Sequence, residues 1–250
     1  MSETSTSAKP TRPTVFWTGL DESGAAILDA FSTRGFGVER HPLLVCTPCA
    51  PADIFAGVGP MDWVVVTSAR AVDAISRIPL PASKFAAVGP ASAQRLHALG
   101  PAPDLVPEAK SADGLAAALI RETSPGRVLF LRGNNALATL PDTLRRAGFT
   151  VAEREVYRTE PVSERDAAAV ARHIEASADV VLFGSPAGVR ALAETVDLKS
   201  LVARKPALLL VALGKTTAAA LTHAGIENPV VAASPSPAAV VRAVEASLSS

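Results

Sequence analysis

Net charge is absent from this sequence: Lys and Arg number 24, and so do Asp and Glu. Nucleic-acid binders commonly carry a basic excess, so the balance excludes a protein that works by bulk attraction to polyanions. Any anion site must be local. Aromatic residues make up only 4%, too few for a base-stacking platform. Cysteine is limited to Cys46 and Cys49, which excludes a disulfide scaffold. The longest strongly apolar run, 207–213, is far too short to cross a bilayer. The first fourteen residues are polar and rich in Ser, Thr and Pro, with no apolar core for a secretory signal. These absences point to a soluble, cytoplasmic protein with a disordered tail over 1–13 and no membrane or nucleic-acid partner. What the chain has is apolar material. Hydrophobic residues are 48% of 250, and the mean hydropathy is +0.27. That suffices for one large domain or two small ones and excludes disorder for most of the chain.

Strand-like runs at 15–18, 63–67, 85–88, 127–131, 180–183 and 208–213 alternate with helix-like stretches. The latter fall at 23–34, 91–99, 112–122, 136–147, 164–177, 216–224 and 237–248. Gly100, Gly148 and Gly225 stand where helices should stop. This rhythm predicts an α/β fold with parallel sheets. The chain also repeats itself. Gly35 matches Gly148 and Pro48 matches Pro161, 113 positions apart; Ser68 matches Ser185 at 117; Gly89 matches Gly214 and Gly100 matches Gly225 at 125. The growing offset is what short loop insertions produce in a duplicated half-chain. Two extended runs, 38–47 and 150–159, occupy the same place in each repeat. They read as a pair of long strands joining two lobes, with a cleft between them.

The candidate chemistry is sparse. Cys46-Thr-Pro-Cys49 has CxxC spacing and His41 lies five residues before it, but no second pair completes a zinc set. Gly214-Lys215-Thr216 resembles the end of a phosphate loop, yet the required glycine is Leu209. No nucleotide or metal cofactor is therefore expected. The four histidines are scattered, and neither a Ser/His/Asp arrangement nor a paired-carboxylate motif is present. The strand-to-helix turns carry more information. Thr67-Ser68, Gly89-Pro90-Ala91-Ser92, Gly184-Ser185-Pro186 and Gly214-Lys215-Thr216-Thr217 each follow a strand and open a helix. Ligands of parallel sheets sit beyond the carboxyl ends of the strands. Free N–H groups at helix starts bind anions there. Ordinary N-capping explains any one such turn; matched turns in both repeats suggest several carboxylates or phosphates. Tyr157, the only tyrosine, lies in the second long strand, where a half-buried strand aromatic is the plain alternative.

Taken in order, several stretches resemble the uroporphyrinogen-III synthase family. They are Val64-Val65-Val66-Thr67-Ser68-Ala69, Ala87-Val88-Gly89-Pro90-Ala91-Ser92-Ala93 and Pro103-Asp104-Leu105-Val106-Pro107-Glu108. Further on come Val128-Leu129-Phe130-Leu131-Arg132-Gly133, Glu155-Val156-Tyr157-Arg158-Thr159-Glu160-Pro161, Phe183-Gly184-Ser185-Pro186 and Ala212-Leu213-Gly214-Lys215-Thr216-Thr217-Ala218. The resemblance runs from about Val15 to Leu248. It implies two parallel-sheet α/β lobes joined by a two-stranded β linker: a discontinuous lobe over 14–42 and 160–250, and a second over 48–156. It implies a cyclising hydro-lyase of heme, siroheme and cobalamin synthesis, monomeric and without a cofactor. Its substrate would be hydroxymethylbilane, handed over from hydroxymethylbilane synthase. Ring A loses its hydroxyl to give an azafulvene, and ring D attacks through its substituted position and recloses inverted. Tyr157 matches the family's tyrosine as the catalytic candidate. Ser68, Ser92, Ser185, Thr216 and Thr217 match polar positions that bind substrate. The alternative is a non-catalytic tetrapyrrole- or anion-sensing module on the same fold. The chain departs from the family at Gly19, where Arg is common, at Arg70, where Asn is typical, and at Gly184, where Thr or Ser is usual.

Overall fold

The structure, a computed structural model, describes residues 13–20 and 24–249. The tail expected over 1–13 lies outside them except for Pro13, and so does Ser23, the expected first residue of one helix. The first half of the chain runs β1 (Thr14–Trp17), α1 (Ala25–Thr33), β2 (Gly37–Arg40), β3 (Leu44–Pro48), β4 (Trp63–Val66), α2 (Ala69–Ala74), β5 (Lys84–Ala87), α3 (Pro90–Ala98) and α4 (Ala112–Glu122). It continues with β6 (Arg127–Gly133), α5 (Thr139–Arg146), β7 (Thr150–Pro161), α6 (Glu164–Ser177), β8 (Val180–Phe183) and α7 (Pro186–Ala193). The last elements are α8 (Leu198–Arg204), β9 (Leu209–Ala212), α9 (Lys215–His223), β10 (Val230–Val231) and α10 (Pro237–Leu248).

The described residues fall into two compact units, one from residues 13–45 with 160–249 and one from Cys46–Thr159. The first holds a parallel sheet in the order β10-β9-β8-β1-β2. The second sheet runs β3-β7-β6-β4-β5, with β7, β6, β4 and β5 parallel. A single bridge from Ala86 to Leu105 extends its β5 edge. Under the repeat offsets, β1 corresponds to β6, β2 to β7, β8 to β4 and β9 to β5, so both sheets follow one strand order. The α/β class with parallel sheets is as the alternating pattern predicts.

Central strands such as Trp63–Val66 and Val180–Phe183 are buried at every position, because helices cover both sheet faces. Strand alternation sorts their side chains. Val15 and Trp17 pack with Ile27, Leu28, Val240 and Val244 on one face. Phe16 packs with Val170, Ile174, Leu192 and Leu201 on the other. The second unit repeats this split, with Val65, Phe130 and Leu119 on one side and Val64, Leu131 and Leu96 on the other.

Two expectations need correction. The run at 38–47 is not one strand. It breaks at Pro42, on either side of which the His41 and Leu43 N–H groups still donate to the Trp17 and Thr18 carbonyls. Proline has no N–H to offer at that step. The chain then enters β3, which lies beside β7. Cys49 donates to Val156 O and Val162 to Leu43 O; partner numbers that rise on one side and fall on the other make this pair antiparallel. The helix expected over 136–147 starts only at Thr139. Pro141 is tolerated because it falls in the first turn, where N–H groups have no intrahelical partner.

At the strand-entry edge of the second sheet, Asp62 accepts from Gly59 N at 2.8 Å and from Arg127 Nε at 2.9 Å, with a second close contact from Arg127 Nη2. The hydrogen bonds from Arg127 and then from Gly59 hold its pKa below the ordinary aspartate value. A depressed folded-state pKa contributes stability above the unfolded value, about 3.9, and loses it as pH falls through the folded value. Asp62→Asn removes this linkage. The melting temperature of the variant is expected to fall less between pH 7 and pH 3 than that of the wild type, although it is lower at pH 7. Parallel wild-type and variant curves would show that the pair is not linked to acid stability.

Candidate active site

Tyr157 sits where β7 passes the end of β6. Pairing between these strands is regular from Arg127↔Thr150 to Arg132↔Glu155, then slips by one so that Gly133 opposes Tyr157. Such a bulge re-aims the side chain that follows it. The ring lies directly over Gly133: a Cβ there would meet Tyr157 Cζ at 2.5 Å and its hydroxyl oxygen at 2.8 Å. Asn134 then replaces the lost ladder. Its backbone N–H donates to Tyr157 O, its side-chain oxygen accepts from Thr159 N at 2.9 Å, and its amide nitrogen donates to Thr159 O at 3.2 Å. Asn135 adds a donor to the same carbonyl. The strand bearing Tyr157 is thus held at Tyr157 itself and two residues beyond it.

Ser68 follows β4 as the N-cap of α2. Its Oγ accepts from Ala71 N at 3.1 Å and donates to the Tyr157 hydroxyl at 3.1 Å. That leaves the phenolic proton free for a further acceptor, at the end of a chain of donors that polarise one another. Ser68 and Tyr157 are both half-buried.

The next strand end, after β5, opens α3. Gly89 is its N-cap with extended backbone and no side-chain cap. Proline at the first helical position removes one orphan N–H, and the remaining donors have no capping oxygen. The stem of Lys110 lies against Gly89. Ser92 is only 3% exposed, and no hydrogen bond to its hydroxyl is found among the described residues.

The first unit shows a parallel set. Ser185 caps α7 by accepting from Gly188 N at 3.4 Å. Gly214 caps α9 without a side-chain bond, as Gly89 does for α3. Thr216 is exposed, whereas Thr217 is 2% exposed and without a hydroxyl partner among the described residues. Thr217 and Ser92 hold the same helical position, 125 residues apart. None of α2, α3, α7 and α9 carries an acidic residue in its first turn, so their positive ends are not neutralised from within. Tyr157, Ser68 and Ser92 therefore belong to one unit, and Ser185, Thr216 and Thr217 to the other. Of the three in the second unit, Ser68 and Tyr157 are hydrogen-bonded to each other.

The departures at Gly19 and Gly184 have a common physical cause. Trp17 is 2% exposed, with its indole N–H donating to Leu20 O at 3.1 Å. A Cβ at Gly19 would meet the indole at 2.4 Å, one at Gly24 at 2.5 Å and one at Gly184 at 3.1 Å. The indole fills the space that side chains would otherwise take at the end of β1. Arg70 stands in the first turn of α2, two residues beyond Ser68, half-buried. Cys46 and Cys49 are not joined in a disulfide, and Cys49 is exposed with Sγ 3.8 Å from Glu155 O. Among the described residues, no three His, Cys, Asp or Glu side chains are grouped to hold a metal ion.

Sequence reasoning missed Gly133 and Asn134. The one available signal was the Gly-Asn-Asn that ends β6, since an asparagine amide can imitate a peptide group.

Comparison with known proteins agrees with this layout. Residues 25–242 match the family model described as uroporphyrinogen-III synthase HemD. A curated relative, the uroporphyrinogen-III synthase of Chlorobaculum parvum (strain DSM 263 / NCIMB 8327), is 29% identical over 147 residues. That alignment spans 58% of this chain and 58% of the relative. Among solved structures, a mutant uroporphyrinogen III synthase of the extremely thermophilic bacterium Thermus thermophilus is 19% identical with a TM-score of 0.59, over 95% of this chain and 99% of the other. The uroporphyrinogen-III synthetase of Helicobacter pylori 26695 is 16% identical with a TM-score of 0.60, over 94% and 99%. At such identities the two structures establish the shared fold alone. Because the family model covers most of its length, the chain belongs to the uroporphyrinogen-III synthase family.

Proposed function

We propose that this chain is a cytoplasmic uroporphyrinogen-III synthase that closes hydroxymethylbilane with inversion of ring D and loss of water. The reading is carried by the contact of Ser68 with Tyr157, which leaves a phenolic proton to deliver at the mouth of a parallel sheet. In this reading the Tyr157 O–H protonates the ring A hydroxyl as its C–O bond breaks, and water departs. The pyrrole nitrogen supplies the electrons, and the resulting azafulvene is attacked by ring D. The proton lent by the phenol returns when the final pyrrole recovers its aromaticity. Ser68 keeps the phenol oriented and supports its developing negative charge.

The substrate's carboxylates have natural partners in the uncapped first turns of α3 and α9 and in the hydroxyls of Ser185 and Thr216. The hydroxyls of Ser92 and Thr217, at the third position of the same two helices, serve the same anions beside the backbone donors. Much of the acceleration comes from holding the linear tetrapyrrole in one conformation, which suits a site with no acid–base dyad. The lyase chemistry needs no cofactor in this account. The chain acts alone on a substrate received from the hydroxymethylbilane synthase reaction.

The test is substrate consumption. Chelator-treated, desalted protein should remove freshly generated hydroxymethylbilane much faster than the protein-free control. Saturable binding with no faster consumption would favour a sensing module on the same fold.

A further inference from the structure

In the first unit, just past the end of β2, His41 and His173 bring two imidazoles together. Their ring centres are 5.0 Å apart and nearly perpendicular, while the two Nδ1 atoms are 3.5 Å apart. The nitrogens therefore face one another. His41 is held rigidly. Its backbone N–H donates to Trp17 O, its ring stacks on Phe16 at 4.2 Å, and its Nε2 lies 2.8 Å from Glu39 Oε2. A carboxylate at Nε2 fixes the proton there and leaves the Nδ1 lone pair pointing at His173. His173 stands exposed on α6.

We propose that this pair is a binding site for a single borderline divalent ion such as Zn²⁺, Co²⁺ or Cu²⁺. Two imidazole nitrogens at about 2.0–2.1 Å from a tetrahedral ion lie roughly 3.3–3.4 Å apart, close to the separation already present. As a direct hydrogen bond, 3.5 Å is long. Glu39 supplies the outer carboxylate that usually accompanies a ligating histidine. Among the described residues no third protein donor is grouped with the pair, so water completes the coordination from the open His173 side. Imidazole ligands select this class of ion over Mg²⁺ or Ca²⁺. Ligation through Nδ1 leaves the neutral His173 ring with its proton on Nε2. The ion pins the connection between β2 and β3 to α6.

Titrating chelator-stripped protein with Co²⁺, followed by its visible d–d absorption, tests the site. One equivalent should bind without the intense thiolate charge-transfer band. Both His173→Ala and His173→Gln should abolish that spectrum, while their melting temperatures without metal stay at the wild-type value. Glu39→Gln should weaken binding by about 10–100-fold. The double change Cys46→Ser, Cys49→Ser should leave the spectrum intact. Absence of saturable binding, loss of the spectrum in the cysteine variant, or its survival in the His173 variants would overturn the proposal.

Discussion

Tyr157→Phe should lower the rate of isomer III formation by about 10²–10⁴-fold, the usual worth of a positioned proton donor, with little change in melting temperature. The substitution keeps the ring that covers Gly133 and removes only the hydroxyl. The phenol is half-buried, and its one hydrogen-bond partner among the described residues, Ser68, retains the Ala71 N–H. The Ser68 hydroxyl thus loses an acceptor but not its place, and the stability cost should stay near that of one neutral hydrogen bond, about 0.5–1.5 kcal/mol. Steady-state rates and thermal melts on the same preparation separate the two effects. Wild-type rates in Tyr157→Phe would move the chemistry away from the phenol and leave conformational restraint as its source.

Gly133→Ala is expected to approach the same loss of activity by a different route. Its new methyl group would stand 2.5 Å from Tyr157 Cζ, a separation that real structures do not tolerate. The clash is with a ring whose strand is held by the Asn134 contacts to Tyr157 and Thr159, so the ring must swing off its axis and away from Ser68. Overpacking of this kind also costs about 1–3 kcal/mol of stability, which thermal melts would register. Because both variants remove one thing, a correctly aimed phenol, their effects on rate should not add in the double variant. Additive losses would mean that Gly133 acts on something other than Tyr157.

Much of the fold was legible because its signals are local. The helices Ala112–Glu122 and Glu164–Ser177 have the bounds expected from their sequence. Ser111 and Ser163 cap them with their own side chains, and residue type alone announces such caps. The strand Val180–Phe183 is equally plain, since a run buried on both faces is uniformly apolar. The helix α8 was not separated from its surroundings, and α2 was expected only as a helix opening after Thr67-Ser68, without bounds. Six or seven residues hold too few turns for a 3.6-residue period to emerge. The break at Pro42 was missed because 38–47 reads as extended on both sides of it.

The site was legible in part. Tyr157 and Ser68 could be singled out by type and place, but their contact depends on the register slip between Arg132 and Gly133. A slip is a property of two strands together and leaves no mark on either alone. The hydroxyls of Ser92 and Thr217 looked equivalent to those of Ser68 and Thr216, yet they belong to residues only 3% and 2% exposed. At the third position of a helix, a side chain can turn under the first turn rather than out of it. The glycines at 19, 24 and 184 come from three separate segments and make sense only once the Trp17 indole is seen to occupy their common space.

The most direct measurement is the isomer distribution of the product. Hydroxymethylbilane generated in place is incubated with the purified chain, and the products are oxidised and separated as uroporphyrins I and III. The account predicts that isomer III dominates with the wild-type protein and that isomer I reappears in Tyr157→Phe as spontaneous closure overtakes the slowed enzyme. Isomer I alone from the wild-type protein, as in the protein-free control, would contradict it.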